Sequence, residues 1–178
     1  MRYDIYKNTR DASWKFLLKY EVSSFPVDLK PIVSKMGITV RKDIIGMLSD
    51  NELGRVVNAQ NELHIILRDM PVQQKRYTIA HEIGHIVLGH TEISTNPYLD
   101  EYAAERFAIG ILAPACVLWG LDIHSAKDIA RLCNISLASA KIRAERMSVL
   151  YKRNKFLTSP LEKEVYMQFE DFIKQNRK

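Results

Sequence analysis

The sequence predicts an α+β fold: a small, mostly antiparallel sheet packed on a helix that carries H-E-x-x-H, followed by a largely helical C-terminal half. Three observations predict it. Arg55-Val56-Val57-Asn58 and Glu62-Leu63-His64-Ile65-Ile66-Leu67 flank the turn-like Ala59-Gln60-Asn61, which reads as a hairpin. Apolar residues then recur at helical spacing over 71–88. Beyond Asn96 the chain reads mainly as capped helices, and 178 residues at 47% hydrophobic suffice for a single compact domain over 1–178.

In chain order, residues 11–20 and 28–36 suggest two helices, the second stopped by Gly37, and residues 38–40 a short strand. The hairpin follows, then the helix over 71–88, which Gly89 ends as a left-handed cap with His90 just beyond. Asn96 suits an N-cap and Pro97 the first helical position, so another helix runs from there to about Ala113, before Pro114. Residues 125–133 and 137–150 read as two helices joined by Asn134-Ile135-Ser136, a helix-turn-helix-like segment over 125–150 within the domain. Ser159-Pro160 interrupts the pattern. Residues 161–175 form a final amphipathic helix whose Val165, Phe169, Phe172 and Ile173 pack back on the body.

His81 and His85 sit four apart on the 71–88 helix, so both imidazoles leave one face and can grip one ion. Catalytic zinc needs three protein ligands and an open position for water, with a base to take that water's proton. Glu82, about 100° round the helix from His81, reads as the base. His90 does not fall at the spacing of a third histidine ligand and suits a rim or capping role. The better third ligand lies on the next helix, where Glu101, Ala104, Glu105 and Ala108 share a face. Glu101 reaches the metal and Glu105 bonds the outer nitrogen of a ligand histidine, or the two exchange roles. For the group that stabilises an oxyanion, Tyr98, Tyr102, His90, a backbone amide and the metal alone all remain open.

These residues resemble the ImmA/IrrE metallopeptidases. The resemblance rests on Arg76 through His90, on Glu101-x-x-Ala104-Glu105-x-Phe107-Ala108, and on Ile111-Leu112-Ala113-Pro114. It is strongest over 76–114 and weaker to 150. The family pattern is E-x-x-A-(D/N)-x-F-A, so Glu105 stands where the family has Asp or Asn, and Ala113 replaces a usual methionine. The resemblance implies a zincin-like fold with a gluzincin-like site: one zinc on His81, His85 and Glu101, and Glu82 as base. It also implies an intracellular endopeptidase whose substrate is a helix-turn-helix repressor of a mobile element or stress regulon, encoded nearby. In zincins the strand just before the metal helix edges the cleft, so the substrate is expected to add to the sheet as an extended strand. His64 lies near that edge or is a half-exposed strand histidine.

Charge and cysteines narrow the remaining classes. Residues 141–178 hold ten Lys/Arg and five Asp/Glu, an excess of +5 that equals the net charge of the whole chain. Lys141, Arg143 and Arg146 project from the second helix of the helix-turn-helix-like segment. They suit contacts to DNA or an acidic partner, or form a solvated face. The alternative to an enzyme is therefore a metal-stabilised DNA- or protein-binding regulator. Two cysteines, Cys116 and Cys133, without C-x-x-C spacing, and no basic-plus-apolar leader, suggest a reduced, cytoplasmic protein. The longest uncharged run, 107–121, has 15 residues, short of the roughly 20 that span a bilayer, so no membrane partner is expected.

Overall fold

A computed structural model describes residues 2–90 and 94–177. Helix α1 (Arg2–Lys19) starts nine residues earlier than the apolar pattern predicts, because its first turns are polar and carry little periodic signal. After α2 (Leu29–Lys35), capped by Asp28, the chain enters β1 (Ile38–Lys42). β2 (Gly54–Ala59) and β3 (Glu62–Leu67) form the expected hairpin. Its turn is the two residues Gln60 and Asn61, both at positive φ as tight hairpin turns require, and Ala59 belongs to the ladder opposite Glu62.

The sheet is mixed rather than mostly antiparallel. Its order is β1-β3-β2, with β1 parallel to β3 and β2 antiparallel to it. The reason is the path of residues 43–53, which carry the chain from the end of β1 to the opposite edge of β3. Arg68 pins that path by donating to the carbonyls of Glu52 at 2.7 Å and Ser49 at 2.7 Å. Consequently β3, the strand directly before the metal helix, is central, and β2 is the edge. His64 accordingly lies half-buried on the central strand and not at an edge.

Helix α3 (Val72–Leu88) packs under β2 and β3 and ends at Gly89, whose φ of 72° is the left-handed cap conformation. Asn96 caps α4 (Pro97–Leu112), accepting from the Leu99 amide. A short α5 (Ala115–Gly120) follows Pro114, then α6 (Ala126–Cys133) and α7 (Leu137–Arg153). The expected single C-terminal helix is two, α8 (Pro160–Gln168) and α9 (Glu170–Asn176), broken at Phe169. The break lets Phe169 bury beside Phe25, with ring centroids 5.3 Å apart, while Gln168 donates to the carbonyls of Leu17 and Val22 at the end of α1. One hydrophobic cluster runs from Trp14 to Ile173 through Leu17, Ile83, Phe107 and Ile129.

Helix α3 packs closely against α4. Gly84 lies between the two histidines of α3, and a Cβ there would stand 3.2 Å from the Ala104 Cα, the Ala104 carbonyl oxygen and the Phe107 ring. Two of those three contacts are backbone and have little room to give. Residues 97–120 are long and apolar enough to cross a bilayer, but 78% of their most apolar window is buried inside the protein and Pro114 divides them. They are core helices.

Gly84→Val should push α4 away from α3. The expected result is a stability loss of roughly 1–3 kcal/mol, as for overpacked cores, and weaker zinc binding in the same variant, measured by thermal unfolding and metal titration. Unchanged values for both would show that the contact does not hold the helices in register.

Candidate metal centre

Three side chains from two helices meet at one point. The Nε2 atoms of His81 and His85 are 3.0 Å apart, Glu101 Oε2 is 3.1 Å from His81 Nε2, and Glu101 Oε1 is 3.3 Å from His85 Nε2. Among the described residues they form the group of His, Cys, Asp and Glu side chains arranged to hold a metal ion. Ligand atoms about 2.0–2.1 Å from a tetrahedral zinc stand about 3.3 Å from one another. The observed triangle is close to that size, and its nitrogen and oxygen donors suit zinc.

The electrostatics match. Burial, and then the neighbouring imidazoles, push His81 and His85 down to about 4, so both rings are neutral at pH 7 and keep a lone pair for a cation. Glu82 is buried at 7% exposure. Burial, then the Glu101 carboxylate, raise its carboxyl to about 7, while the Val56 backbone amide pulls the other way. Its affinity for a proton is therefore that of a base working near neutrality.

The support of the ligands differs from expectation. Glu105 is exposed on α4 and bonds no histidine among the described residues; the group it influences is the Tyr77 phenol. The outer nitrogen of His85 instead meets His90, with Nδ1 to Nδ1 at 3.1 Å, and His90 Nε2 faces Asp100 Oδ1 at 3.5 Å. The left-handed turn at Gly89 brings this about, folding His90 back over the last turn of α3. One tautomer satisfies the whole chain: His85 Nδ1–H donates to His90, and His90 Nε2–H points to Asp100, leaving His85 Nε2 free for the ion. His90 thus stands behind a ligand histidine as well as lining the cleft.

A cleft of about 670 Å³ opens over the three ligands, walled by β2 residues Gly54, Arg55 and Val56 on one side and by α4 on the other. Tyr98 is 67% exposed, and Tyr102 lies under the Arg106 guanidinium at 4.9 Å; neither lines the cleft. Tyr77 does. Burial and Glu105 raise its hydroxyl to about 12, so it remains a donor at neutral pH. The pattern contained a signal for it, since Tyr77, His81 and His85 are spaced by four and share one ridge of α3.

The helix-turn-helix-like segment is tied into the same body. Arg76 on α3 donates to the carbonyls of Asn134 at 3.1 Å and Val27 at 2.8 Å. Arg143 is not a surface contact: it is 8% exposed and donates to the Ile109 carbonyl of α4 at 2.8 Å. Arg146 is half-buried over the Tyr6 ring, which leaves Lys141 as the exposed cation of the three. A groove-reading helix would present all of them outward. Cys116 and Cys133 are both buried and free.

Residues 34–145 match a peptidase family model described as IrrE N-terminal-like domain, a span that includes the sheet, both metal-site helices, α6 and half of α7. No curated protein matches the chain.

His90→Ala should weaken zinc binding by about 10–100-fold, the usual effect of losing the partner behind a ligand histidine, as read by competition with a chromophoric chelator. Affinity equal to that of the unaltered chain would show that His85 needs no such support.

Proposed function

The chain belongs to the ImmA/IrrE peptidase family, and from that premise we propose that it is a cytoplasmic zinc-dependent endopeptidase whose substrate is a helix-turn-helix repressor encoded nearby. The observation that carries the reading is the convergence of His81, His85 and Glu101 beside the buried Glu82 in one open cleft. His81, His85 and Glu101 would hold the ion. When bound, zinc supplies a Lewis acid that polarises the scissile carbonyl and lets water attack near neutral pH.

The protein's own groups perform the remaining steps. Glu82 takes the proton of the attacking water on its carboxylate and returns it to the leaving amine nitrogen, so the carboxylate ends as it began. The Tyr77 hydroxyl donates to the oxygen that gains negative charge. β2, whose outer edge has no strand partner among the described residues, offers backbone donors and acceptors to an extended peptide. Arg55, held by two bonds of 2.6 Å from its Nη2 to Glu52, stands at the rim beside that edge. A sheet edge recognises backbone more than side chains, so selection of one repressor falls to the shape and charge of this rim.

Glu82→Gln separates binding from chemistry. Zinc content should stay at one ion per chain while cleavage of the repressor, mapped by mass spectrometry with and without chelator, falls by about 10²–10⁴-fold. The same variant has a stability signature in the metal-free protein. Glu82 has a folded-state pKa of about 7 against an ordinary 4.5. Its contribution is therefore fully present below about 4.5 and lost as pH rises through 7, and the glutamine should stabilise the fold at pH 8 by on the order of 3 kcal/mol. A Glu82→Gln variant that still cuts the repressor at the original rate would end the peptidase reading.

A further inference from the structure

A second cavity, of about 370 Å³, lies where α1, α4 and α7 meet. Six cationic side chains line it, namely Arg10, Arg106, Arg143, Arg146, Arg153 and Lys155, against one carboxylate, Glu162. Asp11 answers Arg10 at 2.8 Å, and Glu162 is engaged by the Thr158 amide. Among the described residues no carboxylate pairs with the other five cations. Among the described residues, the Nε atoms of Arg106, Arg143 and Arg146 are buried and have no hydrogen-bond partner. Arg143 is more than nine-tenths buried, and although burial pulls it down to about 10 it stays charged at neutral pH. Cations so placed are costly unless an anion completes them.

The walls aim these groups. Trp14 lies under the Arg10 guanidinium at 4.6 Å and Tyr6 under that of Arg146 at 4.8 Å. Stacking engages the guanidinium faces; the Arg10 edge is taken by Asp11, while that of Arg146 is left for an acceptor in the cavity. Forked donors match oxyanions, and the excess of positive charge exceeds what one carboxylate neutralises. Arg143 lies deep while Arg153 and Lys155 stand exposed at the mouth, which suits a compact ligand that enters over a duplex that lies across.

We propose that this cavity binds a small phosphoryl-bearing anion of two or more negative charges, either an inorganic polyphosphate or a nucleoside phosphate. The site is separate from the metal centre, so its test reads binding alone and does not depend on peptidase activity.

Calorimetry on the full chain at low salt, with pyrophosphate and with ADP as probes, should give saturable one-to-one binding. Tighter binding of pyrophosphate marks the inorganic source, and tighter binding of ADP the nucleotide. Arg153→Glu with Lys155→Glu, both at the exposed mouth, should weaken either probe by at least about tenfold. Lys127→Glu with Lys141→Glu changes net charge equally outside the cavity and should leave affinity within about twofold. Absence of saturable binding for both probes, or equal losses in the two double variants, would overturn the proposal.

Discussion

The approach of α3 to α4 at Gly84 and Ala104 is the constraint on which the site depends. Imidazole and carboxylate side chains are short, so histidines on one helix and a glutamate on the next share an ion only when the helix backbones nearly touch. Gly84 and Ala104 supply that approach, and Ala103, Phe107 and Ala108 seal α4 against the core on either side of it. The helix-turn-helix-like segment then has a structural meaning: Arg76 and Arg143 anchor it to α3 and α4, bracing the two ligand helices from behind.

That packing also sets the chemistry. The same burial that makes His81 and His85 poor bases makes Glu82 a better one, because a low-dielectric setting disfavours whichever form carries charge. A neutral pair of ligands next to a carboxyl of raised proton affinity therefore follows from one cause. The arrangement detracts from the stability of the empty fold, as function-bearing sites commonly do.

Much of this is legible from residue order. The limits of α3 and α4, the Gly89 cap, the Asn96-Pro97 start and the hairpin all rest on local rules, and the ligand trio rests on spacing joined to a family resemblance. The remainder depends on chain path. Nothing in Ile38–Lys42 reveals that its partner is β3 in parallel, since a short strand carries no record of direction. Linear spacing argues against His90, whereas the left-handed turn before it restores contact with His85. Arg143 reads as a surface cation because it falls among Lys141 and Arg146, and its carbonyl partner lies 34 residues away on α4. Tyr77 stands on the ligand ridge in the sequence itself, but only the position of β2 shows that this ridge faces a cleft.

The most direct test is a crystal of the zinc-reconstituted chain with data collected on both sides of the zinc absorption edge. One anomalous peak is expected within about 2.0–2.1 Å of His81 Nε2, His85 Nε2 and a Glu101 oxygen. A peak on other groups, such as His90 with Asp100 or the buried cysteines, with Glu101 turned away, would contradict it.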